Sequence, residues 1–463
     1  MIAERMMAGQ LDKTLLNKGS VTLDISDHEV DALFSQSLTQ ALVEAAPVSS
    51  VLLLPPDITR FHSRAGLLTS IAYRELSRAG IAVTVLPALG THTPLTAAER
   101  ERMFPGVPES LFRIHDWRND VVELGRLERE WVEQITGGAV SYDWPAQVNK
   151  LLCDGGFDLI VSLGQVVPHE VVGMANHAKN ILVGTGGKEA IDKSHFAGAA
   201  YGMEKMMGRT NTPVRAMFDE GLRRYGDKLP PVLYALTVLS ARGETEAAAT
   251  STQRGLASRG LALRGLYCGF GRDCFEQAAA LTRQVNVDLL DEPIHKAVVY
   301  LDPQEFRTTW LGNKAVYRTR MAMADGGELL IIAPGLERFG EDKGLDALIR
   351  KHGYRPAKVI REKVNADAEL ANSLSAAAHL IHGSSEDRFT VRYCPGPGLS
   401  RKEIESVGYE WGDMGAAMAR YDVSKLAIGW NTGADGAPFG KGERFFFVPN
   451  PALGLWALRD TFN

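Results

Sequence analysis

Residues 51 to 86 read as strand, helix and strand, and this pattern constrains the fold more than any other feature of the chain. Residues 51–54 (VLLL) form a short apolar run closed by Pro55-Pro56-Asp57, as expected of a buried strand. Residues 63–79 place Leu67, Leu68, Ile71, Ala72 and Leu76 at helical spacing. Residues 81–86 (IAVTVL) are rich in β-branched side chains and run into Pro87. Two strands joined across a helix predict a parallel sheet. Residues 159–163 (LIVSL) and 181–183 (ILV) read as further buried strands, each followed by a glycine, Gly164 and Gly184.

A second run of the same kind starts near residue 290. Residues 296–301 (KAVVYL) and 329–332 (LLII) flank a helix-like stretch at 313–324. The fold class expected is therefore α/β: two α/β domains with mainly parallel sheet and an active site in the cleft between them. The boundaries expected are 1–288, 289–385 and a tail, 386–463, returning to the first domain. Residues 243–254 (GETEAAATSTQR) fit a loop or a surface helix equally.

Composition narrows the function classes. With 51 basic and 56 acidic residues the net charge is -5, which gives no electrostatic case for nucleic acid or an anionic membrane as partner. Hydrophobic residues make up 45% and charged residues 23%, which excludes a mainly disordered chain. The first twenty residues lack a signal-like apolar run, and no stretch reaches the length of a membrane span. Cys153, Cys268, Cys274 and Cys394 contain no C-x-x-C pair and fit reduced thiols. A cytoplasmic protein acting on a small molecule is expected.

Open parallel sheets carry their chemistry at the carboxyl ends of the strands. Asp57, Thr59 and Arg60 follow the first strand, Thr91 and His92 the second, and His169 the third. An aspartate and an arginine three apart can face one ligand, and arginine binds carboxylates through paired hydrogen bonds; a local pair shaping the loop would explain them as well. His92, after Gly90-Thr91, suits a general base or a turn histidine bonded to a carbonyl. Thr96, with Glu99 three residues later, reads as a capping box. His169, His177 and His195 could be read as zinc ligands, but spacings of 8 and 18 match no compact zinc motif. Lys179 fits an anchor or nucleophile if desolvated, or a surface lysine. Gly184-Thr-Gly186-Gly187 has two of three dinucleotide-loop glycines, with Glu189 in the third place; Gly269-Phe-Gly271 has Cys274 there. Lys314 begins a helix-like stretch in the second unit, where it would set a cation near the cleft or simply face solvent.

Taken together these motifs resemble the nickel-dependent lactate racemase family, whose enzymes carry a nickel-pincer nucleotide. Asp57-Ile58-Thr59-Arg60 is similar to that family's D-x-T-R loop, and Gly90-Thr91-His92 to its G-x-H segment. Pro168-His169 and Lys179 reproduce its histidine-to-lysine step of ten, and Lys179 to His195 its step of sixteen. Lys179-Asn-Ile-Leu-Val-Gly184 is similar to its K-x-I-L-P-G. The likeness covers roughly residues 50–335.

The resemblance implies specific roles. Lys179 would hold the pyridinium-derived nucleotide covalently and His195 would bind its nickel. Asp57, Ile58, Thr59, Arg60 and Gly184 would line the cofactor. His92 and His169 would be the acid/base pair, and Arg60 and Lys314 would bind the substrate carboxylate. The first domain would bind the cofactor and the second would close over a 2-hydroxy acid. Such an acid resists loss of its C2 hydrogen as a proton, because a dianion would form. Its loss as hydride needs an acceptor, and each of two histidines would serve one enantiomer. A recombinant protein would carry the nucleotide only where the enzymes that make it are present.

The chain departs from the family's pattern where it meets substrate and phosphate. Gly173-Met-Ala-Asn-His177 stands for G-[YF]-S-G-G, Thr93 for an arginine and Leu311 for a glutamine. A longer sugar acid is thus an alternative to lactate. A nicotinamide-dependent oxidoreductase of sugar acids and a non-catalytic nickel or nucleotide carrier are the other two readings.

Overall fold

The structure is a computed structural model and describes residues 13–241 and 260–462. The segment at 243–254, whose sequence fits a loop or a surface helix, lies outside the described residues. The described chain divides into two units: 13–197, 205–241 and 260–285 form one, and 198–204 and 286–462 the other. Both are α/β, each on a sheet in which most strand pairs are parallel.

The first unit holds a six-stranded sheet in the order β1-β6-β5-β4-β2-β3. Its strands are β1 (Thr14–Gly19), β2 (Ser50–Leu54), β3 (Ala82–Val85), β4 (Leu159–Gln165), β5 (Val232–Ala241) and β6 (Leu261–Gly269). β3, β2, β4 and β5 run parallel; β6 and β1 complete the sheet antiparallel. Residues 51–54, 81–86 and 159–163 therefore build the strands expected of them. All seven residues of β4 are buried, as expected of a central parallel strand covered on both faces. The crossover helix, α1 (Ala65–Arg78), buries Leu68, Ile71, Ala72 and Leu76, one stripe of its apolar positions.

Residues 181–183 do not form a strand. Ala178–Leu182 is a short helix, α2, and Val183 its C-cap. A run of three buried apolar residues carries no period that separates strand from helix, and the helix won. The longer helix Lys188–Tyr201, α3, follows at once. An antiparallel pair, Val121–Leu127 with Trp144–Asn149, supports it. The buried indole of Trp144 donates to the Ala190 carbonyl at 3.0 Å.

In the second unit the sheet order is β10-β9-β8-β7-β12-β11. The strands are β7 (Ile294–Tyr300), β8 (Met323–Ala333), β9 (Thr390–Pro395), β10 (Glu410–Trp411), β11 (Gly429–Thr432) and β12 (Arg444–Val448). The stretch at 313–324 is helical through Lys314–Thr319 and is already strand at its end. Residues 386–463 were expected to return to the first domain, and this is corrected. They supply β9 to β12 and a strand, Leu455–Leu458, paired with Val287–Leu290. Strands β7 and β8 alone would leave two open ladders, and β12 and β9 close them. Among the described residues no helix is long and apolar enough to cross a membrane, and the four cysteines are free thiols.

Candidate active site

Three neighbouring strands, β4, β2 and β3, end in the loops that carry the site residues of the first unit. After β2, Asp57 caps the 3-10 turn Ile58–Ser63. Its Oδ1 accepts from the Thr59 amide at 3.1 Å and the Thr59 hydroxyl at 2.5 Å. Its Oδ2 meets Nδ1 of His92 at 2.5 Å. Burial opposes ionisation of Asp57, but His92, Thr59 and Arg60 outweigh it and hold the carboxyl below its ordinary range. The carboxylate therefore fixes the proton of His92 on Nδ1 and leaves the Nε2 lone pair open. The His92 ring is half-exposed, so that lone pair is available to solute.

After β3, Gly90 turns the chain at φ +56 and donates its amide to the Gly184 carbonyl at 2.9 Å. A residue free to adopt that φ is needed there, and the bond ties the His92 loop to the segment that follows Lys179. Thr96 and Glu99 form the expected capping box on Ala97–Met103. Ile58 packs beside the small cluster of Leu89, Leu95, Met103 and Phe104, while Thr59 is exposed and Arg60 half-buried.

After β4, His169 is buried in a two-residue strand paired with Gly173–Met174. Its Nδ1 accepts the Val171 amide at 3.1 Å, and Glu170 Oε2 stands 3.7 Å from the same nitrogen. Burial holds its pKa well below the ordinary histidine value; the charges of Lys179, Arg60 and His195 add to this and Glu170 opposes it.

Lys179 lies on α2. Asn180 pins that helix to the sheet, donating to the Leu54 carbonyl at 3.2 Å and the Ser162 hydroxyl at 2.9 Å. Among the described residues the Lys179 amine makes no hydrogen bond or ion pair. Burial first, then Arg60 and Arg215, push its pKa down to about 8, against the pull of Glu170 and Asp57. About a tenth of the amine is then neutral at pH 7, against well under a thousandth for an ordinary lysine.

His195 lies on α3. Its Nδ1 donates to the Ile191 carbonyl at 2.7 Å, one turn back, which leaves Nε2 as a lone-pair donor. Although the residue keeps some exposure, its ring is desolvated, and burial and the Lys179 charge hold it neutral.

These groups form one electrostatic set. His169 feels Lys179, Arg60 and His195; Lys179 feels Arg60 and Asp57; Asp57 holds His92. Lys314 is in the second unit, at the start of Lys314–Thr319, with its ammonium 5.4 Å from the Phe306 ring. His177 does not join His169 and His195. It packs between Tyr234 and Phe275, and no three His, Cys, Asp or Glu side chains among the described residues group as metal ligands.

The glycine loop at 184–187 follows a helix rather than a strand, so it lacks the strand-turn-helix setting of a dinucleotide fingerprint. His115 holds it instead. His115 Nε2 donates to the Gly186 carbonyl at 3.0 Å, and its Nδ1 accepts from Asn149 at 3.0 Å. His115, Glu170 and Arg215 were missed by motif reading. Glu170 had one signal, its place beside His169; His115 and Arg215 had none.

Comparison with known proteins shows what this chain is similar to. Residues 20–206 match the family model of the lactate racemase N-terminal domain. These residues are thus similar to a lactate racemase N-terminal domain. All the site residues of the first unit, from Asp57 to His195, fall inside it. The whole chain is similar to the crystal structure of a protein from Thermotoga maritima, at 22% identity, 94% coverage of this chain, 98% of that one and a TM-score of 0.73. It is also similar to the lactate racemase apoprotein from Thermoanaerobacterium thermosaccharolyticum, at 14% identity, 95% and 94% coverage and a TM-score of 0.67. At these identities the likeness is one of fold. No curated protein matches the sequence.

A nickel-pincer nucleotide is one group whose fit to these residues follows from their chemistry. Such a group needs a nucleophilic amine and one imidazole lone pair, because its remaining metal donors are its own. A desolvated, unpaired Lys179 amine and an open His195 Nε2 meet both needs.

Proposed function

We propose that the protein is a racemase or epimerase that inverts C2 of a 2-hydroxy acid, sugar acids included, with a nickel-pincer nucleotide held by Lys179 and His195. The observation that carries this reading is the shared electrostatic setting of Lys179 and His195 with His169, Arg60 and the Asp57–His92 pair. When bound, the nucleotide supplies an acceptor for the C2 hydrogen as hydride.

The chain's own residues supply position and protons. His92 Nε2 takes the C2 hydroxyl proton. The buried Asp57 carboxylate fixes the ring and stabilises the imidazolium that results. A positioned base contributes about 10²–10⁴ in rate. His169 serves the mirror-image substrate. Its Nδ1 already accepts the Val171 amide, so its proton rests on Nε2. For Nε2 to act as a base, the Val171 amide must release Nδ1, so that Nδ1 can take the ring proton and donate it to Glu170, whose Oε2 stands 3.7 Å away. Arg60 binds the substrate carboxylate, and Lys314 is proposed as its second cation.

The test uses the full chain produced together with the cofactor-synthesis enzymes. 2-Hydroxy acids from lactate to aldonates are followed by NMR for inversion at C2, and the protein is weighed intact. Inversion of one acid together with a mass adduct on Lys179 is expected. An unmodified Lys179 and no inversion across the series would overturn the proposal.

A further inference from the structure

Lys179 sits two residues after a backbone conformation that should not persist unaided. His177, the N-cap of α2, has φ 59 and ψ -134, a region that glycine tolerates and other residues avoid. Asn176 before it is also at positive φ, 71. The lactate racemase pattern has glycine at position 177, so this chain has placed a bulky side chain where the backbone favours none.

The surroundings over-determine that conformation. The His177 ring lies between Tyr234, at 4.2 Å between centroids, and Phe275, at 5.2 Å. Helix Pro213–Tyr225, α4, presents Arg215 and Asp219 on one face, four residues apart. Arg215, fully buried, donates to the Met174 carbonyl at 2.5 Å and the Asn176 carbonyl at 3.1 Å, and its guanidinium covers the Phe275 ring at 4.4 Å. Asp219 Oδ1 stands 3.9 Å from His177 Nδ1, while Arg272 holds its other oxygen. Both facing atoms are buried and neither has a hydrogen-bond partner. A cavity of about 530 Å³ lined by His177, Asp219, Tyr234 and Arg272 opens beside them. The His177 ring thus borders open space on one side, while its two ring contacts and the Arg215 hydrogen bonds fasten the loop.

We propose that His177 and Arg215 are positioning residues for Lys179, setting the amine by clamping the 174–177 loop against α4. This rests on the reading of Lys179 as the cofactor anchor and adds the device that presents it. A glycine at 177 would fit the backbone without strain but would release the loop toward the cavity. With α2 still tied to the sheet through Asn180, its first turn would loosen and the Lys179 amine would lose its fixed, desolvated setting.

The experiment needs no cofactor. Full-length protein made without the cofactor-synthesis enzymes is labelled with limiting acetic anhydride across pH 6–11. Acetylation of Lys179 is read by peptide mass against the exposed lysines. The neighbours that set its titration are Arg60, Glu170, Arg215 and Asp57, and none is altered by His177→Gly. Wild type should label with a midpoint near 8. His177→Gly should remain folded by circular dichroism, shift that midpoint toward the ordinary value of about 10.4 and lose at least about fivefold in Lys179 labelling at pH 8. Arg215→Lys, which keeps the charge but lacks the fork that reaches both the Met174 and Asn176 carbonyls, should shift it part of the way. Midpoints equal to wild type in both variants would overturn the proposal. Because the label reports on the apoprotein, this result is independent of whether an adduct later forms on Lys179.

Discussion

Replacing Asp57 by asparagine separates orientation of His92 from the stability of its loop. In the native loop one carboxylate oxygen serves Thr59 and the other serves His92 Nδ1. Asparagine can keep the first task, since its Oδ1 accepts from the Thr59 amide and hydroxyl and it is as good an N-cap as aspartate. The stability change from the cap should stay within about 1 kcal/mol. The second task is reversed. The amide Nδ2 is a donor, so His92 must turn a lone pair toward it, and its proton moves to Nε2. A neutral imidazole with Nε2–H has no lone pair for the substrate hydroxyl. The expected loss is the base contribution, about 10²–10⁴ in kcat, with KM nearly unchanged because Arg60 is intact. Two measurements check it. NMR of nitrogen-15-labelled apoprotein reads the His92 tautomer directly, with Nδ1–H in wild type and Nε2–H in the variant. Loaded protein gives the inversion rate. An Asp57→Asn protein that keeps Nδ1–H and turns over within threefold of wild type would refute the assignment.

Lys179→Met should stabilise the apoprotein below pH 8. The folded pKa of Lys179 is depressed to about 8, so the unfolded chain binds this proton more tightly and the native state bears a penalty while the amine is charged. That penalty is about 3 kcal/mol at most, is full below pH 8, and fades as pH rises to about 10.4; denaturant melts at pH 6 and 10 should show a gain only at the lower pH. His195→Ala should keep the mass adduct on Lys179 while losing nickel by elemental analysis, because only the imidazole donor is gone; retained nickel would assign the ligand elsewhere. His115→Phe fills the space but leaves the Gly186 carbonyl and the Asn149 amide unpaired, at a cost of about 1–3 kcal/mol for each buried group; an unchanged denaturation midpoint would remove His115 from the support of the loop.

The site was legible in the sequence wherever a short motif sits at the end of a strand. Asp57 to Arg60, Gly90 to His92 and Pro168-His169 each follow a run of apolar residues long enough to be read as a strand. Parallel topology then delivers their loops along one edge. The Thr96 capping box was legible for the same local reason: its two hydrogen bonds span three residues. What escaped was set by contacts distant in sequence. His115 lies 71 residues from the carbonyl it holds, and Arg215 lies 39 and 41 from its two. No window of sequence contains both partners of such a bond.

The misread run at 181–183 shows why the local rule fails at the center of the site. Ile181, Leu182 and Val183 are all buried, which in a string looks like a sheet interior. Here burial comes from packing α2 against α4 and the Trp144–Asn149 strand, not from sheet pairing. A strand would have alternated its side chains between two faces and carried Lys179 past the site in extended form. The short helix instead lets Asn180 anchor to the end of β2 and the middle of β4 while the neighbouring residue, Lys179, leaves its amine unpaired. The turn into that helix needs a backbone that only glycine adopts freely, and the chain has histidine there. The feature that defeated the local reading is therefore the one that sets the reactive amine: a strained, tertiary-enforced start to a five-residue helix, whose geometry exists only once α4 and the aromatic slot of Tyr234 and Phe275 have formed around it.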